Sequence, residues 1–180
     1  MLNLIPLLTL AGPTTGVALL ANGRPAANAV VFLQGAAKPS PLPNAVVDQR
    51  DHKFSPHISV VTTGTKVRFP NNDSVFHNVF TEYHAAKFDL GMYARGQSKY
   101  EVFDRPGVAV LMCSVHPEMS AYVVVVDTPY YAVTDSKGRF TIPGVPSGKY
   151  RAQVWHESGE KATEDVVVSE GGTLSLKMHR

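Results

Sequence analysis

Residues 110–119 read Val-Leu-Met-Cys-Ser-Val-His-Pro-Glu-Met and place three soft or borderline metal donors in one short segment. The donors are Cys113, His116 and Met119, in the spacing C-x2-H-x2-M. Short apolar, β-branched runs lie on both sides, so the pattern predicts a loop between two strands. Donors this close together in a loop can converge on one point.

A fourth donor, His77, lies upstream in the segment Asn71–Asn78, which reads NNDSVFHN. A thiolate, two imidazoles and a weak axial thioether are the ligand set of a blue-copper site. Structural zinc prefers four strong Cys, His or carboxylate donors, so copper fits this set better. The sequence therefore predicts one copper ion, Cu(II) or Cu(I), per chain, bound by His77, Cys113, His116 and Met119.

The region around these donors resembles the cupredoxins, with a ligand-loop spacing closest to the amicyanin, pseudoazurin and plastocyanin type. The likeness covers roughly residues 54–126. It is carried by GTKVRFPN at Gly64–Asn71, by the pair His77-Asn78, and by FDRPG at Phe103–Gly107. The resemblance implies a Greek-key β-sandwich or barrel with a type 1 copper site. It also implies that Asn78 ties the two ligand loops together.

The flanking residues resemble a different module. The stretch Val133–Tyr150 is similar to the carboxypeptidase-regulatory-like, or transthyretin-like, β-sandwiches, whose opening strands look like Gly16–Leu33 here. This order predicts a discontinuous sandwich formed by residues 14–38 plus 128–180, interrupted by a cupredoxin domain at residues 44–127. The alternative is that the opening strands join the cupredoxin sheet and the C-terminal residues form an accessory layer.

Hydrophobic periodicity predicts an all-β fold. Period-two alternation recurs, for example in KVRFP at residues 66–70 and KYRAQV at residues 149–154, and no window of 11 or more residues keeps an apolar helical period. The turn sequence NGRP at Asn22–Pro25 predicts a hairpin between Val17–Leu20 and Ala29–Leu33.

Charge and cysteine content exclude several classes of function. The 17 basic and 15 acidic side chains give a net charge of +2, too balanced for the basic surface that binds nucleic acid. One cysteine excludes an intrachain disulfide, a four-cysteine zinc site, an iron–sulfur cluster and a two-cysteine copper centre. No His-x-His element of the multicopper oxidases is present. We therefore expect no enzyme activity and no nucleic-acid partner.

The N-terminus favours export. Leu2–Ala11 is about as long as the apolar part of a signal peptide, but no Lys or Arg precedes it. Residues 1–13 are therefore either a truncated export signal or part of a buried first strand. No other stretch approaches the ~20 apolar residues of a membrane helix. The prediction is a bacterial, periplasmic protein without a membrane span.

A site whose strong positions are all filled by protein favours electron transfer, since catalytic metals keep an open position. The leading hypothesis is single-electron transfer between transient periplasmic redox partners, and the alternative is periplasmic copper delivery or storage. Two further interpretations remain open for Cys113, as a packing residue or as a Cys–His nucleophile. His52 or His57 could bind a second metal or be surface residues, and His84 could lie at the rim of the site.

Overall fold

The computed structural model describes residues 12–82 and 85–180, and none of these residues is helical. The strands in chain order are β1 (Gly12–Leu19), β2 (Val30–Gln34), β3 (Asp48–Arg50), β4 (Lys53–Ser55), β5 (Ile58–Thr62), β6 (Thr65–Pro70), β7 (Phe80–Thr81), β8 (Phe88–Asp89), β9 (Ser98–Phe103), β10 (Gly107–Met112), β11 (Ser120–Val126), β12 (Tyr131–Val133), β13 (Arg139–Val145), β14 (Gly148–Trp155), β15 (Lys161–Val168) and β16 (Thr173–Lys177). The predicted all-β class is confirmed.

The chain divides into two compact units. Residues 12–36 and Tyr130–Arg180 form one, called here the terminal unit, and Ala37–Pro129 form the other, the inserted unit. Each unit has its own cluster of buried apolar side chains.

The terminal unit contains two sheets, with strand orders β13-β1-β16 and β12-β2-β14-β15. Burial along β1 alternates, so Thr14, Gly16 and Ala18 face the interior. Gly16 lies close to both neighbouring strands of its sheet, β13 and β16. A Cβ at this position would stand 2.3 Å from the Phe140 ring and 2.5 Å from the Leu174 carbonyl oxygen. Only glycine fits there without a shift of the neighbouring chain.

The hairpin predicted between β1 and β2 is wrong. β1 pairs with β13 and β16, whereas β2 pairs with β12 and β14. The turn itself is present, with the Gly23 N–H donating to the Leu20 carbonyl at 2.8 Å, but it carries the chain from one sheet to the other. Period-two alternation specifies which face of a strand is buried and leaves its partner strand open.

Both N-terminal strands belong to the terminal unit. β1 and β2 pair with strands that follow Tyr130, so they do not join a sheet of the inserted unit. β1 begins at Gly12, the first residue that the structure describes. Residues 1–11 of the expected export signal lie outside the described residues.

The inserted unit is built on a five-stranded sheet of order β5-β11-β10-β7-β8, with β6 paired to β9 and β3 paired to β4. β10 and β11 are antiparallel and stay in register to their ends, where Met112 lies opposite Ser120. The short strand β7 lies between β10 and β8 and pairs with β10 at the same end, through Phe80 and Met112. The residues after β10 and before β7 are therefore held side by side.

Within residues 12–82 and 85–180, no helix is long and apolar enough to cross a bilayer.

Candidate metal centre

Sheet topology brings the predicted donors to one end of the inserted unit. Cys113 follows β10 directly and Met119 precedes β11 directly, so both stand at the ends of paired strands. His77 lies in the loop that enters β7, next to β10. Between the strands, the Met119 N–H donates to the His116 carbonyl at 2.9 Å, which makes the ligand loop a tight turn.

Three donor atoms converge in this arrangement. Ligand atoms of His77, Cys113 and His116 all lie within 4.8 Å of one another. The Cys113 Sγ is 3.8 Å from His77 Nδ1, and the two histidine Nδ1 atoms are 3.1 Å apart. His77 is fully buried, Cys113 is 3% exposed and His116 is partly buried. His77 and Cys113 are thus shielded from solvent, and the cluster reaches the surface through His116.

The His77 ring is held in one orientation by a carboxylate. Its Nε2 lies 2.9 Å from Asp73 Oδ2, and an ionised carboxylate only accepts, so Nε2 carries the proton. Nδ1 then presents a lone pair toward His116 Nδ1 and the Cys113 Sγ. A thiol sulfur and two imidazole nitrogens that converge on one point fit copper, which binds thiolate and imidazole together.

Asp73 is itself well supplied with donors. Its carboxylate accepts the backbone N–H of His52 at 2.8 Å and that of Ser74 at 2.7 Å. Together with the bond from His77, these bonds hold the pKa of Asp73 well below its usual range. The bond from His52 has the largest effect, and that from His77 the next largest. The carboxylate therefore stays charged and keeps the His77 tautomer fixed.

Asn78 connects the two ligand loops, as the cupredoxin resemblance implies. Its Oδ1 accepts the backbone N–H of Ser114 at 2.8 Å and the Ser114 hydroxyl at 2.9 Å. Its Nδ2 donates to Asp89 Oδ1 at 3.2 Å. The residue after His77 is thereby bonded to the residue after Cys113, which fixes the separation of the two donors.

The sequence did not reveal a buried network of hydrogen bonds that holds the loop carrying His77. The fully buried Asn71 donates through Nδ2 to the carbonyls of Val75 at 2.9 Å and Tyr93 at 3.0 Å, and its Oδ1 accepts the Asp73 N–H at 2.9 Å. The Tyr93 N–H donates to the His77 carbonyl at 2.9 Å. The loop that carries His77 is therefore fixed by a hydrogen-bonded asparagine and by a neighbouring segment.

Tyr93 extends this hydrogen-bond network into the core of the inserted unit. Its hydroxyl donates to the Phe69 carbonyl at 3.0 Å and accepts a hydrogen bond from Gln49 Nε2. Burial raises the pKa of Tyr93 to about 12, so the hydroxyl stays protonated and keeps donating. A D-x3-H spacing inside the quoted segment was the one sequence signal for Asp73, whereas nothing in the local pattern marked Asn71 or Tyr93.

The other candidate residues differ in their position relative to the three converging donors. Met119 is 1% exposed and belongs to the same buried cluster as Cys113, and its role as the fourth ligand stays a prediction. The exposed His52 contacts the donor histidines through its ring. His57 is also exposed but lies elsewhere, with its ring against Tyr122. His84 lies outside the described residues.

Comparison with known proteins gives matches to both resemblances. The carboxypeptidase regulatory-like domain family matches residues 116–179. A purple cupredoxin from Nitrosopumilus maritimus is 26% identical, with a TM-score of 0.42, over 46% of this chain and 100% of that chain. A copper-containing nitrite reductase from Thermus scotoductus is 23% identical, with a TM-score of 0.45, over 53% of this chain and 25% of that chain. A reduced Cu(I) form of an amicyanin variant is 24% identical, with a TM-score of 0.44, over 53% of this chain and 98% of that chain. No curated protein sequence matches.

Proposed function

We propose that the inserted unit binds one copper ion in a type 1 site and carries single electrons between redox partner proteins. The observation that supports this is the buried convergence of the Cys113 Sγ with Nδ1 of His77 and His116. Copper bound there would supply a one-electron couple between Cu(II) and Cu(I). Cys113 would hold the ion through its thiolate, His77 and His116 through their imidazoles, and Met119 through a weak thioether that would tune the potential.

Rigidity of the donors favours electron transfer over catalysis. Asp73 fixes the ring of His77, and Asn78 fixes the distance between the two ligand loops. Donors that cannot move keep the geometric change between the two oxidation states small. Four protein ligands also leave no open position for a substrate, so we propose that the protein is not an enzyme.

The surface next to the cluster is suited to brief contacts. Phe76 is 58% exposed and Val115 is 48% exposed, and each is the chain neighbour of a donor histidine. Exposed apolar side chains beside a metal centre offer a docking patch of the small size that is typical of electron-transfer encounters. We also propose that the protein acts in the bacterial periplasm, which the apolar run Leu2–Ala11 favours because its length is that of a signal-peptide core.

The test of the copper site is a titration of purified apoprotein with Cu(II). One equivalent should produce an intense visible thiolate-to-copper absorption, and Cys113→Ser should abolish it. His57→Asn is the matched control, because His57 is an exposed histidine of the same unit outside the cluster, and its titration should equal that of the wild type. A colourless wild-type product, or colour retained without Cys113, would overturn the proposal.

A second candidate function is copper delivery or storage, which is favoured by the exposed His52 ring beside the donors. Electron self-exchange and copper loss to a competing chelator separate the two functions. A carrier exchanges electrons rapidly and retains the ion, whereas a delivery protein gives the ion up on the time scale of its encounters.

We also propose that the terminal unit is the carboxypeptidase-regulatory-like sandwich and that the inserted unit is the cupredoxin domain. The pairing of β1 with β13 and β16 and of β2 with β12 and β14 supports this assignment, as does the family match, which covers residues 116–179 and so includes 130–179 of this unit. Limited proteolysis should cut between the two units and leave the copper colour with a fragment from Ala37–Pro129. Colour confined to a fragment of the terminal unit would contradict it.

A further inference from the structure

The hairpin between β3 and β4 has an unusual turn. Its two central residues, Asp51 and His52, have φ angles of 51° and 55°. A two-residue hairpin with both φ angles positive favours Asn-Gly or Asp-Gly, because glycine alone adopts this conformation without steric cost. A histidine in place of the glycine strains the turn, because its Cβ crowds the backbone at a positive φ. Because strained residues cluster at functional sites, a histidine at such a position suggests that its side chain has a function.

The His52 ring lies against the donor cluster. Its centroid is 4.5 Å from that of His116, with 61° between the ring planes, and 5.9 Å from that of His77, with 83° between the planes. Its backbone N–H is bound by Asp73, the carboxylate that also holds the His77 ring. One carboxylate oxygen therefore binds both the backbone of the turn that carries His52 and the buried imidazole of His77.

Accessibility divides these groups into an inner and an outer set. His77 and Cys113 are 0% and 3% exposed, so an ion from solution cannot meet them first. His116 is partly buried and His52 is exposed, so these two rings form the solvent-facing side. His52 is not one of the three converging donors, and the bound state does not need it as a ligand.

We propose that His52 is a copper-acquisition ligand, which together with His116 captures the ion before it reaches the inner donors. This inference rests on the proposed function. His52 replaces one water of the incoming Cu(II) ion and later yields that position to Cys113, whose thiol releases its proton to solvent. No electron moves and no external reactant is needed. Two imidazole rings whose centroids lie 4.5 Å apart raise the effective ligand concentration that the ion meets.

The test compares His52→Asn with the wild type in the rate of Cu(II) uptake, followed by the growth of the thiolate-to-copper absorption. Asparagine tolerates a positive φ and keeps the N–H that Asp73 binds, so only the imidazole is lost. We expect uptake to slow by roughly tenfold or more, with an unchanged final spectrum. Removal of the ion by a chelator should slow by the same factor, because His52 acts on the route and not on the bound state.

A merely structural role of His52 gives a different result, since a loosened site would lose its ion faster. His57→Asn should leave both rates unchanged, and His52→Gly, which relieves the backbone strain, should be as slow as His52→Asn. The inference is overturned if His52→Asn takes up Cu(II) at the wild-type rate, releases it faster, or has an altered final spectrum. If the wild-type chain gives no coloured product, the proposed function fails and this inference fails with it.

Discussion

Replacement of Asn71 by alanine removes three hydrogen bonds from the loop that carries His77. Two of them end on the carbonyls of Val75 and Tyr93, and the third begins at the N–H of Asp73. Each bond contributes about 1 kcal/mol, and the groups left behind are shielded from water. The expected loss of stability of the inserted unit is therefore about 3 kcal/mol, which corresponds to a roughly hundredfold larger open population.

The single cysteine offers a direct assay of this loss. Cys113 is 3% exposed, so a thiol reagent reacts with it only when the inserted unit opens. We expect Asn71→Ala to raise the reaction rate of the copper-free protein roughly a hundredfold, at urea concentrations where the rate depends on urea and opening is global. Fluorescence of Trp155, the only tryptophan, reports the terminal unit and should be unchanged.

The neighbouring asparagine provides the control. Asn72 is exposed and makes one side-chain hydrogen bond, to Asp48 at 2.8 Å. Surface substitutions of this kind change stability by about 0.5 kcal/mol or less, so Asn72→Ala should alter the rate by about twofold. If the rates of the two variants differ by less than about threefold, the hydrogen bonds of Asn71 do not stabilise the loop that carries His77, and the reasoning is refuted.

Three further changes test other parts of the chain. Asn78→Ala removes both bonds from Ser114 and should weaken copper binding about 10–100-fold in a chelator competition; an unchanged affinity would contradict a role for the tie between the loops. Gly16→Ala places a Cβ 2.3 Å from the Phe140 ring and should destabilise the terminal unit by at least about 1–3 kcal/mol, read from the tryptophan fluorescence in urea; a midpoint equal to the wild type would argue against the close approach. Asp135 is held by hydrogen bonds from Arg139, which lower its pKa from 3.8 to about 2. Because the folded-state pKa lies below the unfolded value, this stabilisation is present above pH 3.8 and is lost as the pH falls toward 2. Asp135→Asn should flatten the acid limb of the same fluorescence curve, and coincident acid curves would exclude this contribution.

The sequence is most informative where the chemistry is local. Cys113, His116 and Met119 lie within one short segment, residues 113–119, so their spacing alone predicts a loop of donors between two strands. His77 is distant in sequence, and its inclusion depended on its residue type and on the order of the motifs. The structure brings it to Cys113 because the short strand β7 pairs with β10.

The parts that could not be predicted depend on long-range pairing or on loop conformation. Alternation in β1 identifies a buried face but not β13 and β16 as partners, which is why the predicted hairpin is wrong. The contacts of Asn71 and Asp73 arise only after the loop has folded over them. The position of His52 depends on a turn with positive φ angles, for which its sequence is atypical.

The division of the chain sets an order of events during synthesis. β1 pairs in parallel with β16, with Thr15 opposite Thr173, so the terminal unit cannot close until the chain has left the ribosome as far as β16. All strands of the inserted unit lie within Ala37–Pro129, and it can fold as soon as that stretch emerges, since domains fold as units during translation. The copper donors are therefore assembled while β1 and β2 still lack the strands they pair with. For that interval the nascent chain exposes two apolar strands with open edges, which is the stage at which it is most prone to pair with other chains.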